Sequence, residues 1–213
     1  MSTNIYLIRH GESEGNKRRA FLGHTDLDLT ETGHNQAQNA AEFLQDINAE
    51  VIYSSDLKRA YSTALHTAEI KKLDIIKSKN LREIYAGERE NGLFCDLEKN
   101  FKESYAVWLT NIGRAKCDGG ESVEELQRRV VAEITRIAKE NDGKTVLIFT
   151  HATPIRVFKA FCDGCSLDEI KDIKWATNAS VTHARYNDGR FEILEYGIDY
   201  FQGNDKTVLP ANV

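Results

Sequence analysis

Apolar residues in this chain recur in two rhythms. Ile5-Tyr6-Leu7-Ile8 and Val146-Leu147-Ile148-Phe149 are short β-branched and aromatic runs, which predict strands buried on both faces of a parallel sheet. Between them a three-and-four spacing takes over. From Thr30 to Ile47, residues Ala37, Ala40, Ala41, Leu44 and Ile47 fall on one helical face. Val51-Ile52-Tyr53 predicts another strand, after which Ser55 or Asp56 caps a helix to about Lys71 with Leu57, Ala60, Ala64 and Ala68 inward. A short strand follows near Ile75-Ile76. Phe101, Tyr105, Trp108, Leu109 and Ile112 mark a helix with an aromatic stripe, read here as core rather than ligand wall. Ser122-x-x-Glu125 is a capping box for a helix that buries Val123, Leu126, Val130, Ile134 and Ile137. Thr153 and Pro154 form the cap and first turn of a helix to about Phe161, and two terminal strands flank the turn Asn187-Asp188-Gly189.

Repeated strand-to-helix steps point to a three-layer α/β/α sandwich around a mostly parallel sheet. The 213 residues, 41% hydrophobic, suit a single domain over 1–213, with the tail from Gly203 loosely held. The apolar start is too short for a signal peptide and no segment approaches a membrane span, so the expected location is cytoplasmic, without a membrane partner. A net charge of -5 argues against a nucleic-acid surface held by bulk electrostatics. Cys95, Cys117, Cys162 and Cys165 are too sparse for a disulfide scaffold. Cys162 and Cys165 have C-x-x-C spacing but lack a compact second pair for zinc, and read as ordinary thiols.

Chemistry concentrates where the buried strands end. Arg9-His10 follows the first apolar run and Thr150-His151 its counterpart; ligands of open α/β sheets collect at the carboxyl ends of strands. Arg59, in Ser54-Ser55-Asp56-Leu57-Lys58-Arg59-Ala60, falls in the first turn after the second strand. Two guanidinium forks suit a phosphoryl group. His10 beside permanent positive charge stays neutral and nucleophilic, given a backbone carbonyl on its other ring nitrogen. Attack on phosphorus would give a phosphohistidine and a departing alkoxide; Glu83 is the candidate to protonate that alkoxide and then to deprotonate water. Such catalysis is positioning and electrostatics, with no metal and no cofactor required. His24, His34, His66 and His183 lack this context and receive no role. Lys17, Arg18 and Arg19 could attract a second anion of the substrate, but a solvated face is the favoured reading.

With these residues in hand, the chain resembles the histidine phosphatase superfamily, the phosphoglycerate-mutase-like fold. The resemblance rests on Arg9-His10-Gly11-Glu12-Ser13, Asn16, the stretch from Gly23 to Ala37, Ser54 to Ala60, Leu81-x-Glu83, Gly119-Gly120-Glu121-Ser122 and Thr150-His151, all in the family's order. It implies His10 as the phosphorylated nucleophile, Glu83 as proton donor, and Arg9, Arg59, His151 and Asn16 as phosphate contacts. Two departures stand out: Arg89 where members commonly have tryptophan, and Ala152 where glycine is frequent. After Glu83 comes Ile84-Tyr85-Ala86-Gly87 rather than the Arg-His-Tyr-Gly segment of the mutases, which favours a phosphatase over a phosphoglycerate mutase. The family pattern makes residues 93–116 an insertion that covers the substrate, a small phosphorylated metabolite. Relatives are often dimers, so a homodimer is the assembly the resemblance allows. A pure phosphate binder is the remaining alternative, and the His10–Glu83 pair argues against it.

Overall fold

A computed structural model describes residues 1–208. The first half contains β1 (Thr3–Arg9), α1 (Glu14–Lys17), β2 (Ala20–Phe21), α2 (Glu31–Leu44), β3 (Val51–Ser55), α3 (Lys58–Lys71) and β4 (Ile75–Ser78). The second contains β5 (Gly92–Leu93), α4 (Phe94–Asn100), α5 (Lys102–Thr110), α6 (Val123–Glu140), β6 (Thr145–Thr150), α7 (Ala152–Cys162), β7 (Val181–Asn187) and β8 (Arg190–Ile198). Six strands form one sheet in the order β4-β3-β6-β1-β7-β8, and β2 pairs with β5 in a separate ribbon. The pairs β4/β3, β3/β6 and β6/β1 are parallel, whereas β7 and β8 close one side as an antiparallel hairpin.

Period-two alternation sends successive residues of the central strands into different cores. Ile5, Leu7, Val146 and Ile148 join Leu126, Val130, Ile134, Ile155 and Phe158, the inward residues of α6 and α7. Ile8, Leu147 and Phe149 face the opposite way, onto Leu44, Ala64 and Ala68 of α2 and α3. All seven of these strand residues are fully buried. The unbroken apolar runs therefore reflect helices on both faces, the three-layer α/β/α arrangement.

Two expected caps are placed differently. Leu57, not Ser55 or Asp56, precedes α3, and its side chain makes no cap bond. The Lys58 N–H instead donates to Asp26 Oδ1 at 2.7 Å, while Asp56 takes a bidentate bond from Arg82 at 2.6 Å for each oxygen. His151 precedes α7, so Thr153 and Pro154 lie inside its first turn, and the Thr153 N–H donates to Glu83 Oε2 at 3.2 Å. Carboxylates distant in sequence thus satisfy the orphan donors of both helices. The Ser122–Glu125 box at α6 forms locally as expected.

The aromatic stripe is divided between two elements: Lys102–Thr110 is helical, while Ile112 begins a separate short turn. The tail is tied down as far as it is described. Gln36 Nε2 donates to the Asp205 carbonyl at 2.6 Å and to Thr207 Oγ1 at 3.0 Å, and Thr207 donates to Asn178 Oδ1 at 3.2 Å. This corrects the loose tail expected from Gly203; the rest of that expectation, 209–213, lies outside the described residues.

Candidate active site

Register brings the two histidines together. In the parallel pair β1/β6, Arg9 stands opposite Thr150, so the next residues, His10 and His151, emerge side by side at the carboxyl edge. Their rings meet edge to face with centroids 5.1 Å apart. The His10 N–H donates to the Thr150 carbonyl, and the His10 carbonyl accepts from Ala179 N and Asn178 Nδ2, both at 3.1 Å. Beneath this turn the backbones of Gly11 and Gly33 touch: a Cβ on Gly11 would sit 2.3 Å from the Gly33 carbonyl oxygen, and one on Gly33 2.0 Å from that of Glu12. Only glycine fits either position.

The His10 ring is oriented by its own chain. Nδ1 lies 2.7 Å from the Gly11 carbonyl, which can only accept, so the proton is on Nδ1 and Nε2 keeps the lone pair. Burial first, and the charges of Arg59 and Arg9 second, hold this imidazole well below its ordinary pKa; the Gly11 bond opposes them. The expectation of a neutral His10 holds, but desolvation outweighs the neighbouring charge that motivated it.

Arg9 and Arg59 are only 7% and 1% exposed, and neither has a carboxylate in salt-bridge range among the described residues. Arg9 donates to the Ala176 carbonyl at 2.6 Å, and Arg59 to the carbonyls of Thr25 and Gly23 at 2.9 and 2.8 Å. Both Nε atoms are buried without a partner among the described residues. Burial lowers each guanidinium only to about 10, so both remain charged near neutral pH. Two buried cations, each influenced by the charge of Glu83 but in contact with no carboxylate among the described residues, and with donors to spare, form a site suited to a negative ligand.

Arg9, His10, Asn16, Arg59 and Glu83 all line one cavity of about 260 Å³. Asn16 Oδ1 accepts from the Ser13 N–H and hydroxyl and from Asn178 Nδ2, so its amide hydrogens are the part left for a ligand. Glu83 is fixed through Oε1 to the Ile84 N–H at 2.8 Å and through Oε2 to Thr153 N. His151 is fully buried beside His10 rather than in the cavity wall; its Nε2 lies 2.9 Å from Ser55 Oγ, and its Nδ1 has no partner. Of the three basic residues after α1 began, Arg19 alone borders the cavity, while Arg18 donates to Asn91. Tyr105, Trp108 and Leu109 also line it, while Tyr105 and Ile112 belong to the buried core and Phe101 and Trp108 pack against it, so the stripe serves as core and as cavity wall at once.

Sequence reasoning overlooked three supports. Ser55 sits in the quoted Ser54–Ala60 motif but shows its purpose only beside His151. Asn178 joins the His10 carbonyl to Asn16 from 162 residues away. Glu90 accepts from the backbone of His24, Thr25 and Ala86 and from the Thr25 hydroxyl, at 2.6–3.0 Å, and so shapes the loop whose carbonyls hold Arg59. His24, given no role, donates through Nε2 to the Glu83 carbonyl at 3.0 Å. Arg89, in place of tryptophan, is fully buried and donates twice to Asp118 Oδ2, which also accepts from Ser104 of α5. Ala152 opens α7 in ordinary helical backbone, outside the positive-φ positions, so no glycine is needed there.

Comparison with known proteins establishes the family and the fold. Residues 5–199 match the family model described as histidine phosphatase superfamily (branch 1). Phosphoserine phosphatase 1 of Hydrogenobacter thermophilus is 32% identical over 91% of this chain and 92% of its own length. The 2,3-bisphosphoglycerate-dependent phosphoglycerate mutase of a Chelativorans species is 30% identical over 92% of this chain and 100% of its own. Among solved structures, Bacillus stearothermophilus YhfR superposes with a TM-score of 0.90 at 26% identity, covering 94% of this chain and 99% of that one.

Proposed function

The chain belongs to the histidine phosphatase superfamily, and from that premise we propose that it hydrolyses small phosphomonoesters through a phosphohistidine on His10, without a metal. The observation that carries this reading is the pair of buried guanidiniums, neither in contact with a carboxylate among the described residues, flanking a neutral imidazole whose Nε2 lone pair is unengaged.

Arg9 and Arg59 bind the phosphoryl oxygens, aided by the Asn16 amide. Ser55, already accepting from Leu57 N, donates its hydroxyl to His151 Nε2, which puts the His151 proton on Nδ1 and holds its ring against that of His10. His10 Nε2 forms a bond to phosphorus as the ester P–O bond breaks, and Glu83 supplies the proton that leaves with the alcohol. In the second half, Glu83 takes a proton from water, the oxygen bonds to phosphorus, and the P–N bond breaks to return His10 and free phosphate. Residues 93–116 cover the substrate within one domain spanning 1–213. Cytoplasmic action is part of the proposal, supported by four cysteines that are all free thiols.

The test is phosphate release from a panel of esters in EDTA, wild type against His10→Ala. A loss of at least about 10⁴-fold, with an acid-labile phosphoryl group trapped on His10 by rapid quench, is expected. Release that persists in His10→Ala would remove the covalent route, and isomerisation of phosphoglycerate without release would select the mutase.

A further inference from the structure

Beyond the phosphate cradle, the cavity walls are aromatic. Phe21, Phe94, Tyr105, Trp108, Leu109 and Trp175 supply them, from β2, α4, α5 and the segment leading to β7. We infer that the alcohol part of the substrate is an apolar, ring-sized body rather than an amino acid, a glycerol or a sugar. This deepens the phosphatase reading and rests on it.

The wall is built before any ligand arrives. Phe21 meets Trp108 edge to face at 4.8 Å and Phe94 at 6.1 Å. The Arg156 guanidinium lies 4.2 Å over the Trp175 ring and is itself anchored to the carbonyls of Ile170 and Lys171. Tyr105 is buried with Arg89 nearby, and Arg89 and Ser104 both hold Asp118. Rings already fixed by such contacts pay little ordering entropy when a flat apolar group enters between them.

The polar inventory points the same way. Glu12 and Glu83 are the acids bordering the cavity; the first is two residues from His10 and accepts from the Thr30 hydroxyl, and the second is the proposed proton donor. Among the described residues an α-ammonium group therefore has no carboxylate of its own to meet in the aromatic part. Sugar hydroxyls would meet there the polar tips of Tyr105, Trp108 and Trp175, of which the two indole N–H groups cannot accept, and so would give up water for an incomplete set of partners. Thr207 is already engaged with Gln36 and Asn178, and Arg19 is exposed at the rim, where it stays hydrated.

The experiment compares kcat/KM for 2-phenylethyl and 2-(1-naphthyl)ethyl phosphate with glycerol 1-phosphate and O-phosphoserine, all primary alkyl esters of similar intrinsic reactivity. The aryl-bearing esters are expected to lead by about thirty-fold, the scale of burying one ring. Trp108→Ala and Trp175→Ala should each cut that ratio about tenfold, and Trp108→Phe should restore most of it. A wild-type ratio near or below one overturns the inference and leaves the phosphatase reading standing. So does a high ratio that survives both alanine substitutions. Phosphate released from none of the esters overturns both.

Discussion

The two ends of the cavity are built on opposite principles. The phosphate end is buried, charged and held by backbone: His10 by Gly11, Arg59 by Gly23 and Thr25, Glu83 by Ile84 and Thr153. The outer end is aromatic, partly exposed and held by side chains on side chains, as in the Phe21–Trp108 and Arg156–Trp175 contacts. Backbone anchoring fixes a few atoms in place, whereas ring packing sets a shape. On the proposed reading, chemistry and selectivity are thus carried by separable parts.

The sharpest way to break that division is at Glu83. Glu83→Gln should lower kcat by about 10²–10⁴-fold, with inorganic phosphate still inhibiting within about threefold, since the arginines are untouched. Equal losses in turnover and phosphate affinity would make Glu83 a binding group instead. A smaller effect is expected one shell away. Glu90→Gln turns an acceptor of four donors into a half-donor, loosening the carbonyls of Gly23 and Thr25 that aim Arg59. It should weaken phosphate inhibition and kcat/KM by about tenfold, and add little to Arg59→Gln, because residues acting through one group are non-additive. Independent, multiplying losses would show that Glu90 does not act through Arg59.

The mildest effect concerns stability. Burial lowers the pKa of both His10 and His151, so below about 6.5 the unfolded chain binds protons that the folded one refuses. Stability should therefore be fully present above that pH and fall as pH drops, each histidine adding at most one proton to the slope. His24, His66 and His183 shift in the same direction and add to the slope. Denaturant midpoints at pH 7.5, 6.0 and 5.0 would measure it, and His10→Asn should flatten it; an unchanged slope would mean that His10 accepts a proton in place.

The same division explains what could be read from the chain alone. Arg9, His10, Arg59 and Glu83 lie at strand ends or first turns that apolar runs announce, so their convergence follows from sheet topology. Ser55, Glu90 and Asn178 were missed because each acts on a partner 65 to 168 residues away that no local spacing reveals: Glu90 on His24 and Thr25, Asn178 on His10, Ser55 on His151. The caps of α3 and α7 failed for the same reason, their acceptors being the distant Asp26 and Glu83. The core reading of the aromatic stripe holds for Tyr105, Ile112, Phe101 and Trp108, but helical spacing could not show that Tyr105, Trp108 and Leu109 also border a cavity.

The strand order has a consequence for the chain as it is being made. β1, which carries Arg9 and delivers His10, pairs only with β6 and β7, whose partner residues are 145–150 and 181–186. At about 5–20 residues per second of synthesis, an apolar strand thus waits on the order of ten seconds for its first neighbour. For that interval β1 is an unsatisfied edge, and His10 exists in sequence well before it has the neighbours that make it a site.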